Sequence, residues 1–212
     1  PKAPERLDLS LPRDDASCVE LMVVAHLQAP EAPVHYVENT LINGLFGLLC
    51  WPAIFAPLPG AFFHPYQSGP ADLLEDDFYQ QRAALFEDCL AQLDDERYLA
   101  TIRGAYTAKF GVQSSFVAWG YLSEDLLEEA LLCLPPEHLK LWFRRLLLDI
   151  KANRTGMPDL IQFDPVQKTY RMIEVKGPGD RLQDNQLRWL AFCEAHQMPV
   201  TVCYVQWQEP QE

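Results

Sequence analysis

The periodicity of the apolar residues changes once along this 212-residue chain, near residue 152, and the change limits the folds open to it. Before that point, the stretches 76–93, 95–109, 123–133 and 136–151 repeat apolar residues three and four positions apart, as amphipathic helices do. After it, short runs alternate polar and apolar residues, which is typical of half-buried strands. The sequence therefore predicts an α/β fold with a largely helical N-terminal part.

The C-terminal part is predicted to run strand, strand, helix, strand, directly after the last helix of the N-terminal part. The strands are DLIQF (159–163), YRMIEVK (170–176) and VTVCYVQ (200–206), and an amphipathic helix covers 183–197. A turn at Asp164-Pro165 makes the first two strands a hairpin. We expect a single domain over residues 1–212.

In that domain, a helical portion (1–152) precedes a β-hairpin core (153–208). The first twelve residues are predicted to be an extended lead-in. Ser17 is then expected to cap a helix in a capping box with Glu20. A second helix is predicted from Thr40 to Trp51, where Pro52 ends it.

The formal net charge of −13 disfavours a nucleic-acid partner, because phosphates are bound mainly by Lys and Arg. The distribution changes this picture. Residues 1–139 hold seven basic and 21 acidic side chains, whereas residues 140–190 hold ten and six. The basic segment contains the motif described below, although the same excess also fits an ordinary solvated helix face.

Several features bear on the surroundings of the protein. The chain has no run of about eighteen uncharged apolar residues and no secretory signal, so we expect no membrane span and an intracellular location, in the cytoplasm of a prokaryote or the nucleus of a eukaryote. Six scattered cysteines without a C-x-x-C pair indicate buried thiols rather than disulfides or a zinc cluster. Because the chain opens at Pro1, we expect the C-terminal part of a longer protein.

The hairpin carries a pattern of the form P-D-x(n)-(D/E)-x-K, made of Pro158-Asp159 and Glu174-Val175-Lys176. Residues two apart on a strand point to the same face, so Glu174 and Lys176 lie together. The partner strand can bring Asp159 beside them. The bare pattern is weak, and it also fits an exposed hairpin on which Glu174 and Lys176 form a surface ion pair.

This set of groups suits phosphodiester hydrolysis. Asp159 and Glu174 supply the hard oxygen ligands that Mg²⁺ or Mn²⁺ prefers, and the carbonyl of Val175 offers another. Such a cation neutralises charge on the phosphate and lowers the pKa of a bound water. Lys176 would orient that water or help to deprotonate it, and would stabilise the pentavalent phosphorus. The motif therefore predicts a metal-dependent nuclease.

The residues around the motif resemble the VRR-NUC nuclease domain, and a segment upstream resembles the Fanconi-anaemia-associated nuclease family. The similarity rests on 154–160 (RTGMPDL), 173–182 (IEVKGPGDRL), Gln186, and Glu38 with the apolar helix that follows it. It covers nearly the whole chain. Departures from the family pattern are Thr155 in place of a Gly, Pro52 in place of an acid and Asn185 in place of a Lys.

The resemblance implies a restriction-endonuclease-like PD-(D/E)XK fold and a structure-specific DNA nuclease. Such enzymes cut 5′ flaps and degrade DNA from 5′ to 3′ in interstrand crosslink repair, with DNA-binding regions of the full-length protein supplying phosphate contacts. The family's catalytic residues fall on Glu38, Asp159, Glu174 and Lys176. Glu38 would reach in from a helix beside the hairpin, and three carboxylates would hold one or two Mg²⁺ or Mn²⁺ ions.

Other side chains are candidates for contacts with DNA. Gln186 would hold Lys176 or a phosphate, and the basic candidates are Arg144, Arg145, Lys151, Arg154 and Arg181. The aromatic residues Phe116, Trp119 and Tyr121 either stack on bases or belong to the core. Two alternatives stay open: a Holliday-junction-type resolvase and an inert DNA-binding module with the same fold.

Overall fold

A computed structural model describes residues 3–210 of the chain, which folds as two compact units. The first, called the sheet unit, comprises Pro1–Asn39, Glu128–Leu134 and Thr155–Glu212. The second, called the helical unit, comprises Thr40–Leu127 and Pro135–Arg154. One boundary therefore falls after Arg154, close to the predicted change of structure. The sequence did not predict that the first 39 residues belong with the C-terminal part.

The sheet unit contains a mixed five-stranded sheet. Its strands are β1 (Glu5–Leu11), β2 (Val34–Tyr36), β3 (Leu160–Asp164), β4 (Thr169–Lys176) and β5 (Val200–Trp207). They lie in the order β1-β5-β4-β3-β2. The strand β5 is parallel to both β1 and β4, whereas β3 is antiparallel to β4 and to β2. The predicted α/β class is confirmed, as are the hairpin β3–β4 and the strand β5.

Two strands were missed. The predicted lead-in is the edge strand β1, where Leu7, Leu9 and Leu11 alternate with polar residues and pack with the apolar core. The alternation was visible, but its pairing partner β5 lies almost two hundred residues away. The strand β2 is only three residues long, too short for a period of two to be recognised.

One apolar core of the sheet unit lies on the face of the sheet that packs against the first helix. Ile173 and Val175 of β4 pack there with Val23 of the helix α1 (Val19–Leu27). Alternation along β4 therefore directs Glu174 and Lys176 to the other face. The predicted cap at Ser17 is wrong, because α1 begins after Cys18 without a side-chain cap. The helix α9 (Asp184–Ala195) connects β4 to β5, as predicted.

The helical unit consists of helices around an aromatic core. They are α2 (Leu41–Leu49), α3 (Trp51–Ile54), α4 (Ala83–Ala91), α5 (Arg97–Lys109), the start of α6 (Glu124–Cys133), α7 (Pro136–Leu148) and α8 (Ile150–Asn153). Pro52 does not end a helix as predicted; it lies in the first turn of α3, where a missing N–H costs nothing. The helix α2 ends earlier, at Leu49.

The helix α2 is buried along its whole length. The Phe46 ring contacts the rings of Phe86, Phe116 and Phe143 at centroid distances of 6.1, 5.0 and 5.6 Å. Phe116 is thus a core residue, and Trp119 donates its indole N–H to the Val112 carbonyl at 2.7 Å. Tyr121 is exposed, so it does not belong to the core.

Two properties predicted from composition concern the whole chain. Of the six cysteines, five are buried as free thiols, whereas Cys18 is exposed, contrary to the prediction. Between residues 3 and 210, no helix has both the length and the apolar character needed to cross a membrane.

Candidate active site

The pairing of β3 with β4 brings the motif together in the sheet unit. Leu160 lies opposite Ile173, so the same register continued by one residue places Asp159 opposite Glu174. Glu174 and Lys176 share a face of β4. Asp159, Glu174 and Lys176 are 5%, 1% and 7% exposed. The alternative of an exposed hairpin with a surface ion pair is therefore wrong.

The two acids are in direct contact. The carboxyl groups of Asp159 and Glu174 are close enough to perturb each other's pKa, and the Val175 N–H donates to Asp159 Oδ2 at 2.9 Å. Lys176 Nζ lies 3.3 Å from Glu174 Oε1. That oxygen is buried and accepts no well-aligned hydrogen bond. An unsatisfied buried carboxylate oxygen has a strong electrostatic preference for a cation.

Burial is the largest cause of the raised pKa values of both acids. Burial raises the pKa of Asp159 to about 6, with smaller opposing effects from the Val175 N–H and from Glu174. Burial, and then the charge of Asp159, raises the pKa of Glu174 to about 9, against the lowering effect of Lys176. At neutral pH the acid pair therefore retains a proton. Asp159 and Glu174 would have to lose that proton to hold a divalent cation.

Lys176 is held from the start of α9. Gln186 Oε1 accepts from Lys176 Nζ at 2.9 Å and from the Gln183 backbone N–H at 2.8 Å. Gln183 and Gln186 form a capping box, so the first turn of α9 is capped where it meets the lysine. The predicted proximity of Gln186 to Lys176 is thus seen in the structure.

Glu38 lies in the turn between β2 and α2, two residues before Thr40. The prediction that it reaches in from a helix is wrong, because α2 begins only at Leu41. The Val37 N–H donates to the Asp159 carbonyl at 2.8 Å, which ties this turn to the motif. Tyr36 donates its hydroxyl to Glu38 Oε2 at 2.5 Å.

Glu38 and Glu20 both act electrostatically on Asp159 and raise its pKa. Glu20, in the first turn of α1, was interpreted from the sequence only as part of a capping box. Tyr36 was missed as well, because nothing in its spacing distinguishes it from a core aromatic residue. No group of three or more His, Cys, Asp or Glu residues within 3–210 is arranged as a ready-made metal site.

The donor chemistry of this region nevertheless fits a hard divalent cation. Asp159, Glu174 and Glu38 offer only oxygen ligands, as Mg²⁺ and Mn²⁺ prefer. The unsatisfied Oε1 of Glu174 and the proton retained by the acid pair both indicate that positive charge is missing there. Lys176 alone does not supply it, since the pKa of Glu174 stays high beside it.

The loop that leads into the motif depends on Gly156. Its φ is +84°, and a Cβ added there would lie 2.6 Å from the backbone carbonyl of Asn185. Close approach of this loop to α9 therefore requires glycine. Two departures from the family pattern meet here, because Asn185 Nδ2 donates to Thr155 Oγ1 at 3.3 Å. Asn185, which stands where the family often has a lysine, thus contributes to the structure of this loop.

The proposed DNA-contacting cations occupy both units. Arg181 is exposed in the loop between β4 and α9 of the sheet unit. Lys151 and Arg154 belong to the helical unit, where Lys151 is exposed and Arg154 donates to the Ser115 carbonyl at 3.4 Å. Arg144 is engaged with both carboxylate oxygens of Glu87. Its guanidinium therefore serves an internal ion pair.

Comparison with known proteins adds to this geometry. The family model of the VRR-NUC domain matches residues 93–207. A Fanconi-associated nuclease 1 homolog of Pseudomonas aeruginosa is 64% identical over 208 residues, which are 97% of this chain and 37% of that protein. Human Fanconi-associated nuclease 1 is 30% identical over 194 residues, 88% of this chain and 19% of that protein. The chain thus spans well under half the length of these relatives.

Solved structures agree with the sequence relatives. The chain is similar to a crystal structure of paFAN1 bound to DNA with a 2-nucleotide 5′ flap and a gap, with a TM-score of 0.96 and 61% identity. The match covers 100% of this chain and 39% of that one. A second structure of paFAN1, bound to DNA with a 1-nucleotide 5′ flap and a gap, gives a TM-score of 0.95 at 60% identity. The mixed five-stranded fold is common to all three.

Proposed function

This chain belongs to the VRR-NUC domain family, and we propose that it is the catalytic part of a metal-dependent, structure-specific DNA nuclease. The observation that carries the proposal is the buried acid pair Asp159–Glu174 beside Lys176. Buried like charges are costly, and such perturbed acids are typical of active sites. The arrangement fits the PD-(D/E)XK core of restriction-endonuclease-like enzymes.

Mg²⁺ or Mn²⁺ would be held by Asp159, Glu174 and Glu38, with the Val175 carbonyl as a further ligand. When bound, the cation neutralises charge on the scissile phosphate and acidifies a coordinated water. Three carboxylates allow one or two ions. Metal binding requires both members of the acid pair to be deprotonated, so the proton that the pair retains has to leave.

The residues of the chain itself prepare the site for the phosphate. Lys176 is buried, and its ammonium group is fixed by Gln186 and Glu174. In that position it stabilises negative charge that develops on the phosphate oxygens without first losing a shell of water. Gln186 acts through Lys176, because its side-chain oxygen is already engaged by the ammonium and by the Gln183 N–H.

The proposed substrate is DNA with a 5′ flap, cut endonucleolytically and degraded from 5′ to 3′ in interstrand crosslink repair. The support is that the similar paFAN1 structures are bound to 5′-flap DNA. The formal charge of −13 implies that most phosphate contacts come from elsewhere in a longer protein. Arg181, Lys151 and Arg154 are the proposed contacts within this chain.

Cleavage of labelled 5′-flap DNA in the presence of Mn²⁺ tests the proposal. We expect Glu174→Ala and Lys176→Ala to lower the rate by at least about 100-fold, since each removes charge stabilisation at the phosphate. The matched controls are Glu209→Ala and Lys168→Asn, both at exposed positions of the sheet unit. Asparagine suits position 168, where φ is +57°. The controls should retain the wild-type rate.

The same assay separates the alternatives. Faster cutting of a four-way junction than of the flap would favour a Holliday-junction-type resolvase. Binding of flap DNA without product at any Mn²⁺ concentration would favour an inert DNA-binding module. Full activity of either active-site variant would contradict the assigned catalytic site.

A further inference from the structure

We propose that Tyr36 is a positioning residue for Glu38. The hydroxyl group of Tyr36 fixes one oxygen of the Glu38 carboxylate, so that the other oxygen stays available to a divalent cation. The inference rests on the proposed function, because it deepens the description of the same metal site. It concerns only the hydroxyl group. The ring of Tyr36 packs at the edge of the apolar core and has a structural role of its own.

The backbone around Tyr36 is held by strand pairing. Tyr36 is the last residue of β2 and pairs with Leu160, the residue after Asp159. The hydrogen bond from the Val37 N–H to the Asp159 carbonyl, at 2.8 Å, extends this pairing towards the motif. The backbone that carries Glu38 is therefore anchored to the strand that carries Asp159.

The turn after Glu38 is anchored as well. Asn39 has a φ of +54°, in the left-handed region, where asparagine is tolerated better than most residues. Its Oδ1 accepts from the Met157 N–H at 3.1 Å, two residues before Asp159. Both flanks of Glu38 are thus held against the motif. Only its side chain, with three rotatable bonds, still has to be positioned.

The Tyr36 hydroxyl supplies that last constraint. It donates to Glu38 Oε2 at 2.5 Å, a short distance for an O–H donor to a carboxylate and typical of a charge-assisted bond. Without it, the Glu38 carboxylate would be repelled by the acids around it, since Glu38 and Glu20 both act unfavourably on Asp159. The hydrogen bond keeps Glu38 beside Asp159 before any cation arrives.

Hydrogen bonds to metal ligands commonly change metal affinity by about 10–100-fold. We therefore expect Tyr36→Phe to weaken Mn²⁺ binding by about tenfold, measured without DNA from the electron paramagnetic resonance signal of free Mn²⁺. In flap cleavage, the Mn²⁺ concentration for half-maximal rate should rise by the same factor. The rate at saturating Mn²⁺ should change by less than about threefold, because the cation then orders Glu38 itself.

The matched control is Tyr204→Phe, which removes a hydroxyl from β5 of the same sheet and keeps the ring on which Arg6 stacks. It should bind Mn²⁺ like the wild type. Thermal unfolding of the metal-free proteins checks that Tyr36→Phe is folded. A purely structural tyrosine would lower the unfolding temperature and the maximal rate without a selective shift in Mn²⁺ affinity.

A double-mutant cycle decides whether Tyr36 acts through Glu38. Glu38→Gln should weaken Mn²⁺ binding on its own, and adding Tyr36→Phe to it should have no further effect. A second, independent loss in the double variant would contradict the inference, as would wild-type affinity in Tyr36→Phe. Failure of the wild type itself to bind Mn²⁺ would instead contradict the proposed function, and the inference with it.

Discussion

The two units both bury charged side chains, but they arrange them in opposite ways. In the helical unit, the fully buried guanidinium of Arg82 donates to the two carboxylate oxygens of Asp72 at 2.8 and 2.7 Å. The guanidinium carbon of Arg82 lies over the Phe78 ring, 4.6 Å from its centroid. In the sheet unit, two buried acids, Asp159 and Glu174, face each other.

The pKa values follow from this difference. The hydrogen bonds from Arg82 lower the pKa of Asp72. Burial and the neighbouring acid raise the pKa of Glu174, although Lys176 lies close by. The first cluster pairs opposite charges within the fold, whereas the second lacks positive charge. A protein keeps such a destabilising pair where function needs it.

The largest effect on stability is expected at the ion pair between Arg82 and Asp72. Arg82→Met should lower the free energy of unfolding by about 3 kcal/mol, the low end for a broken buried pair, because the Asp72 side chain is 29% exposed and keeps some contact with water. Urea denaturation of the metal-free protein measures it. The control Arg97→Met breaks the exposed pair with Asp95 and should leave the free energy of unfolding nearly unchanged. Equal losses in the two variants would show that burial does not distinguish these ion pairs.

For the acid pair, in contrast, the loss of one charged member should raise the stability of the metal-free protein. Glu174→Gln removes one of two repelling acids, so we expect the metal-free variant to be more stable than the wild type by on the order of 1–3 kcal/mol at pH 8. Cleavage of flap DNA should be lost in the same variant. The exposed Glu209→Gln serves as the control. Lower stability of Glu174→Gln at pH 8 would contradict the view that the pair is strained.

The sign of the pH dependence sharpens this test. The pKa of Glu174 is raised to about 9 from an ordinary value of 4.5, so its contribution to stability is present below about 4.5 and is lost as pH rises towards 9. The advantage of Glu174→Gln should therefore grow over that range. For Asp72 the pKa is lowered, and its contribution is lost as pH falls through the acid range.

The smallest expected effect comes from the cation. Mn²⁺ at tenfold excess over its dissociation constant should stabilise the wild type by about 1.4 kcal/mol, because it binds only the folded site. Arg82→Met should gain the same amount, since its own cluster lies in the helical unit. Glu174→Gln should gain almost nothing. Thermal unfolding with Mn²⁺ or with a chelator measures all three, and an equal gain in Glu174→Gln would place the ion elsewhere.

The sequence predicted the hairpin β3–β4, the helix α9 and the strand β5, because their apolar periodicities are local. It also predicted that Asp159, Glu174 and Lys176 come together, since strand alternation and hairpin pairing follow from short-range rules. Glu38 became a candidate only through the family resemblance. Tyr36, Asn39 and Glu20 were not predicted as site residues, because nothing local marks their contacts with the motif.

By itself, the sequence determined which segments alternate polar and apolar residues. It also determined which residues supply the acids and the amine of the motif. The tertiary structure alone decided that β1 pairs with β5, and that Glu38 projects from a turn rather than a helix. It also decided that Glu174 is almost completely buried against Asp159. The physical reason is that periodicity records only how one segment is buried, whereas strand partners and the dielectric around a carboxylate depend on residues distant in the chain.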